Sequence, residues 1–188
     1  SEIFKNGLPS LSRQGVQTIA NICLNFAAAP YGDSAIAGMS VFNRVMFLGF
    51  AVVIGIGQGF QPVCSFNHGA KKYDRVYNGY KFIVLISTVF ITIASIVSYI
   101  FAPQLIGLFR DDVQVVNIGA QALRYECIVL PLIGYCTSSN MLVQSLKLPG
   151  KATALALARQ GIFYVPLILL MPRLIGITGI ILAQPLAD

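Results

Sequence analysis

Phe82-Ile-Val-Leu-Ile-Ser-Thr-Val-Phe-Ile-Thr-Ile-Ala-Ser-Ile-Val-Ser-Tyr99-Ile-Phe-Ala102 carries no charged residue and no glycine or proline. At 1.5 Å per residue, a run of this length built as a helix covers a hydrocarbon core of about 30 Å. In lipid, only a helix or a closed barrel satisfies every backbone polar group, and nothing in this run alternates with the two-residue period of a barrel strand. The stretch reads as a membrane-spanning helix, and the remainder of the chain repeats its character.

Only 11% of residues are charged and 56% are apolar, against roughly 25% charged in an ordinary soluble domain. With a mean hydropathy of +0.74, this composition excludes disorder and argues against a water-soluble enzyme. The formal charge of +6 comes without a basic run able to track a phosphate backbone, so no nucleic-acid partner is expected. Turn residues divide the chain into six spans, at Leu8 to Ala29, Ser34 to Val63, Val76 to Ala102, Val113 to Asn140, Lys151 to Met171, and Leu174 onward. The expected fold is an all-α polytopic transmembrane bundle with the lipid bilayer as solvent. Pro9, Pro30, Pro62, Pro103, Pro149 and Pro172 are placed at span boundaries, where a missing N–H does least harm. The chain begins with Ser1 and stops at Asp188 inside an apolar segment, which reads as part of something longer.

Lys and Arg alternate between the connectors. Lys5, the segment from His68 through Lys71, Lys72 and Arg75 to Lys81, and the pair Lys147 and Lys151 fall on one side. Tyr31-Gly-Asp33, Arg110-Asp-Asp112 and Arg173 fall on the other. The positive-inside rule makes the connectors around Lys71 and Lys147 cytoplasmic, in an inner-membrane protein. Trp is absent, so Tyr31, Tyr73, Tyr77, Tyr80 and Tyr99 are the expected interfacial anchors. Cys23, Cys64, Cys127 and Cys136 have no paired spacing and read as packing residues. His68 has no second ligand at metal-binding spacing, so neither metal nor cofactor is expected.

Polarity carried to membrane depth marks candidate sites. Glu126 lies near the middle of the fourth span, where a carboxyl can exchange a proton, hold a cation, or close an ion pair with Arg159 or Arg124. The first span carries Arg13, Gln17, Asn21 and Asn25 at steps of four, beside Gln14 and Thr18. This gives one helix face that cannot meet lipid. Tyr125, Tyr135 and Tyr164 fall within spans and need a partner or a wet cavity. Pro131 cannot bond the Cys127 carbonyl, so a bend and a free acceptor are expected beside Glu126, and Pro166 interrupts the fifth span. Gly49, Gly55, Gly57 and Gly59 form a ladder suited to close helix approach.

The stretch Gly57-Gln-Gly-Phe-Gln61-Pro62-Val-Cys-Ser-Phe-Asn67-His-Gly69-Ala70-Lys-Lys-Tyr-Asp-Arg75-Val resembles the end of the eighth helix and the following loop of the MATE (multidrug and toxic compound extrusion) transporters. Supporting landmarks are Gly7-Leu-Pro9-Ser, Leu146-Lys-Leu-Pro149-Gly-Lys, Arg159-Gln-Gly161 with Pro166, and Ala183-Gln-Pro185-Leu-Ala-Asp188. The opening segment is most similar to the MepA-like bacterial subgroup. The resemblance implies that residues 1–188 are the C-terminal lobe, helices seven to twelve with the last truncated, of a twelve-helix antiporter. It implies exchange of H⁺ or Na⁺ for small organic cations by alternating access, with an N-terminal six-helix lobe of the same polypeptide as partner. Some relatives place a coupling carboxylate on the seventh helix, whereas that helix here offers only Gln17, Asn21 and Asn25. The expected arrangement is therefore a substrate cavity lined by Gln17, Asn21, Asn25, Tyr135 and Tyr164, with Glu126 as ion-coupling or substrate-charge partner. Another acid is expected in the missing lobe. A lipid-linked sugar flippase of the same superfamily would need a more basic wall than Arg13, Arg44 and Arg159 supply. A scaffold would need no polar stripe, and no nucleophile, metal or paired-carboxylate constellation points to an enzyme.

Overall fold

The computed structural model describes the backbone of residues 2–146, 150, 154 and 158–187, and the side chains of these from residue 15 onward except 158–160. The described elements are helical, in the order α1 (Glu2–Ala28), α2 (Asp33–Gly69), α3 (Tyr73–Ile100), α4 (Ala102–Gly107), α5 (Val113–Ser145), α6 (Tyr164–Ile175) and α7 (Ile177–Ala187). A 3₁₀ turn at Ala29–Tyr31 follows α1, and a π turn at Ala158–Phe163 leads into α6. Among the described residues, α2, α3 and α5 are long and apolar enough to cross a membrane. The Lys147–Lys151 connector, the expected start of the fifth span, and the side chains of Arg13, Gln14 and Arg159 lie outside the described residues.

Helix ends depart from the expected span limits for physical reasons. Pro62 does not end α2, which runs on to Gly69, because Cys64 beyond it is fully buried and holds the last turns in place. With 37 residues, α2 is about 55 Å long and must project beyond the hydrocarbon layer. Pro172 likewise lies inside α6, and the reversal comes at Gly176, whose φ of +65° is cheap for glycine alone. Pro103 lies in the first turn of the short helix α4, in a stretch the span reading left as connector after Ala102. The start of α5 at Val113 agrees with expectation, since the Asp112 carboxylate accepts the N–H groups of Gln114 at 2.9 Å and Val115 at 3.2 Å.

α5 is the centre of the bundle. It packs most extensively on α2 and α3, and also receives α4 and α7, while α1 packs on α6, α7 and the π turn. One apolar cluster runs through all of these helices, from Leu24 and Met39 through Leu123 and Ile133 to Ile168 and Ile180. Close approach depends on single glycines. A Cβ on Gly57 would fall onto the Met141 sulfur, and one on Gly134 would lie 2.7 Å from Ile91 Cγ2. The expected glycine ladder on α2 is thus mostly not a packing surface, since Gly49, Gly55 and Gly59 meet nothing within 4 Å.

Two bonds fix one end of the bundle. Tyr31 donates its hydroxyl to the Pro172 carbonyl at 2.8 Å, and Ser34 Oγ donates to Gln114 Oε1 at 3.1 Å. The connectors around Tyr31, Asp112 and Arg173 therefore share one end. At the opposite end the last turns of α2 and α5 meet, with Ser65 Oγ donating to the Ser145 carbonyl at 3.2 Å. Mid-length, Ser95 Oγ on α3 donates to the Cys127 carbonyl at 2.5 Å. Pro131 denies that carbonyl its helical partner, so the acceptor expected to be free is taken by the neighbouring helix.

Substituting Ser95→Ala in the full-length protein should cost about 1–2 kcal/mol and lower the melting temperature in detergent; an unchanged melting curve would show that the Cys127 carbonyl needs no partner. Gly57→Val should destabilise by about 1–3 kcal/mol through overpacking against Met141. Gly55→Ala, one turn-face away and unopposed, should be neutral or slightly stabilising, so equal losses at the two sites would contradict the packing described.

Candidate functional site

Glu126 lies on the buried face of α5 with Leu123, Cys127 and Leu130, and only 1% of its surface is exposed. A carboxylate so placed requires engagement by neighbouring groups, and Glu126 has such an interaction. Arg124 does not supply it. Two residues along a helix is about 200° of rotation, and the Arg124 guanidinium sits on the exposed side, 5.8 Å from the centre of the Tyr99 ring. Arg159 belongs to the π turn, and a Glu126 to Arg159 pair lies outside the described side chains.

The polar stripe of the first helix is open. Gln17, Asn21 and Asn25 are all exposed and run beside the buried line Ala20, Leu24 and Ala28. Another side of α1 exposes Ile19, Ile22 and Phe26. One helix thus presents two unlike surfaces, an apolar one fit for lipid and an amide one that lipid cannot satisfy. Near the start of the amide stripe, Val16 faces Gly161 of the π turn, where an added Cβ would lie 3.5 Å away. π turns interrupt helices most often at functional positions, and this one had no counterpart in the span reading because a hydropathy pattern does not distinguish it from α-helix.

The tyrosines go elsewhere. Tyr164, the first residue of α6, is buried in the main core and has a partner of its own. Tyr135 is exposed on the α3–α5 seam, where the Tyr80 hydroxyl lies 2.8 Å from Ser139 Oγ and close to the Tyr135 side chain. Ser139 Oγ in turn donates to the Tyr135 carbonyl at 2.9 Å. Among the described residues, Tyr164 thus lies in the core, Tyr135 on the α3–α5 seam and the three amides on the exposed face of α1. Two grooves open between α3 and α5, one along Ser95, Tyr99 and Ile128, the other along Tyr73, Tyr77 and Leu142, and neither includes any of the five. Ser95 and Tyr80 were missed from sequence because serine and tyrosine in an apolar run carry no signal of which neighbouring carbonyl or hydroxyl they face.

Among the described residues, no group of three or more His, Cys, Asp or Glu side chains is placed to hold a metal ion. Along the outer surface of α2, Arg44 is exposed, while Gln61 near its far end donates to Gln144 at 3.5 Å, and Gln144 donates to Asn140 at 2.7 Å. The chemistry on offer is hydrogen bonding by amides, one buried acid, and aromatic faces at the edges.

Known proteins complete the picture. The family model MatE matches residues 9–170. The multidrug export protein MepA of Staphylococcus saprophyticus is 26% identical over 187 residues, covering all of this chain and 41% of its own length. The chain thus spans about two-fifths of the curated relatives it matches. The MATE transporter VcmN of Vibrio cholerae, in its bent form, superposes with a TM-score of 0.86 at 21% identity over 95% of this chain and 41% of its own. A MOP superfamily transporter from Pyrococcus furiosus gives a TM-score of 0.89 at 21% identity, over 98% of this chain and 42% of its own. The likeness to these two structures speaks for the fold, and the match over residues 9–170 settles the family: this chain belongs to the MatE family of membrane transporters.

Proposed function

We propose that the complete protein exports organic, often cationic, drugs across the cytoplasmic membrane by alternating access, and that this chain is its C-terminal six-helix lobe. The relatives named multidrug export protein support the activity, and the share of their length that is covered supports a second lobe. The observation that carries the reading is the open amide stripe Gln17, Asn21 and Asn25 beside the exposed apolar face of the same helix. A polar surface of this size, left unpaired by its own half, is suited to face a water-filled cavity closed by the opposite lobe. Amide oxygens there would receive a cation, and aromatic faces from both lobes would add cation–π attraction. Tyr135 and Tyr164 enter this reading as edge and support rather than as a shared wall.

In this reading export is driven by exchange for H⁺ or Na⁺, with Glu126 as the ion-coupling residue of this half. Its burial at mid-length of α5 supports the reading, because a change in its charge would act on the packing of α5 against α2 and α3. The basic connector around Lys71 faces the cytoplasm in this orientation.

Asn21→Leu in the full-length transporter should weaken drug binding about fivefold, the equivalent of losing one intramembrane hydrogen bond of about 1 kcal/mol, with expression unchanged; full retention of affinity would remove the stripe from the binding surface. Glu126→Gln should abolish cation-driven efflux while leaving drug binding and thermal stability near wild type. If instead it lowers expression and stability, and a matching Arg159 substitution restores them, Glu126 is a structural bridge and the coupling acid lies in the other lobe.

A further inference from the structure

Where α2 ends and α3 begins, Tyr73, Tyr77 and Tyr80 recur at the three- and four-residue spacing that puts them on one helix face. They wall a groove of about 250 Å³ that His68 closes at one end and Val76 and Leu142 floor. The floor is apolar, continuous with a second core cluster around Phe60 and Cys64. The turn that joins His68 to Tyr73 is basic. Between residues 68 and 81 there are four cations, Lys71, Lys72, Arg75 and Lys81, against one acid, Asp74, which complements the first turn of α3; Arg75, two residues from both Tyr73 and Tyr77, falls on the other side of that helix. All four cations are exposed, and Lys81 Nζ lies 4.4 Å from the centre of the Tyr77 ring, at the rim.

The rim is rigid rather than a loose polybasic tail. The Lys71 N–H bonds the His68 carbonyl at 3.0 Å and the Lys72 N–H bonds the Asn67 carbonyl at 2.9 Å. Lys71 is held at φ +57°, a backbone region in which glycine is favoured. His68 and Tyr73 pack edge to face across the turn, with ring centres 5.7 Å apart. Tyr80 spends its hydroxyl on Ser139, which fixes its ring, whereas Tyr73 and Tyr77 are more than half exposed.

Away from the rim, the face of α5 that carries Leu142 continues along the seam with α3. Leu142, Ser139, Tyr135, Leu132 and Ile128 follow one another at steps of three and four on a single face of α5, and Ile128, Leu132 and Tyr135 are exposed. From Leu142 to Ile128 is about 21 Å along the helix, more than the half-thickness of about 15 Å that one leaflet's hydrocarbon occupies.

We infer that this groove is a binding site for an anionic phospholipid, with the headgroup phosphate among Lys71, Lys72 and Lys81 and one acyl chain running from the Tyr73–Tyr77–Tyr80 wall down the α3–α5 seam. The charge beside the groove, the apolar floor and the length of the open seam select this occupant together. A free phosphate would use the rim alone, and a neutral lipid the seam alone. Bound lipid would brace α3 against α5, and so the helix that carries Glu126.

The test is lipid retention by the full-length transporter, read by native mass spectrometry after extraction from vesicles of phosphatidylglycerol, phosphatidylcholine, or an equal mixture. One phosphatidylglycerol per protein should survive extraction from the mixture in at least tenfold preference over phosphatidylcholine. The double substitution Lys71→Gln with Lys72→Gln, at exposed positions that should not disturb folding, should reduce retention about tenfold. Leu142→Trp, which fills the floor, should reduce it while leaving the basic rim intact. In the same vesicles the exposed thiol of Cys136, one residue from the seam, should be labelled by maleimide more slowly with phosphatidylglycerol than with phosphatidylcholine. Equal retention of the two lipids, indifference to Leu142→Trp in a folded protein, or displacement by millimolar inorganic phosphate would each overturn the assignment. None of these readouts involves drug transport.

Discussion

Inside a bilayer no water is present to bond a stray carbonyl, so a bend in a central helix has to be met by its neighbours. In this chain that constraint falls on α5. Pro131 removes one rung of its hydrogen-bond ladder, and Ser95 from α3 supplies the missing donor at the Cys127 carbonyl. The bond requires α3 to lie close and in register, which Gly134 permits by accepting Ile91 where a side chain would clash. On the opposite flank α2 comes equally close at Gly57, against Met141. With α5 received on both sides, its inner face is buried, and Glu126 sits in that face. The position of the one deep acid is therefore a consequence of how α5 is packed.

The same arrangement divides the chain's surfaces by chemistry. α5 with α2, α3 and α4 forms a tight unit, and α1 with α6, α7 and the π turn forms its flank. α1 is the most polar of the long helices. Its amides cannot be satisfied by lipid, and the described residues set no enclosing wall against them, which is the physical argument for a second lobe. The tyrosines serve other ends. Tyr31 ties the α1–α2 connector to the end of α6 through the Pro172 carbonyl. Tyr80 ties α3 to α5 through Ser139, and Tyr164 fills core. Tyrosines that read alike in a hydropathy trace thus become clasp, strut and filler.

The all-helical apolar architecture, the start of α5 at Val113 and the membership of the family were legible in the residues themselves. They rest on apolar length against bilayer thickness, on turn residues between apolar runs, and on motif strings. Glu126 as a deep acid and Gln17, Asn21 and Asn25 as one stripe were legible too, since each needs only helical periodicity and depth. The proline and glycine assignments fared less well. Pro62 and Pro172 turned out to lie inside helices, and Gly49, Gly55 and Gly59 of the expected ladder meet nothing within 4 Å among the described residues.

Those failures share a cause. Whether a proline ends a helix or is carried through it depends on what the following turn buries, as Cys64 does after Pro62. Whether a glycine matters depends on which residue of another helix stands opposite. A sequence read one helix at a time holds the period along each helix but not the rotation and register between helices. So the amino-acid sequence by itself determined a membrane-spanning helical half of a MatE transporter, one buried acid and one amide face. Only the tertiary structure decided that Ser95 answers Pro131, that Arg124 turns away from Glu126 toward Tyr99, that Tyr164 fills core while Tyr135 lies by the Tyr80–Ser139 bond, and that a basic turn and a tyrosine wall meet beside one groove. Each of these is a pairing between helices, fixed by packing in three dimensions and not by spacing along the chain.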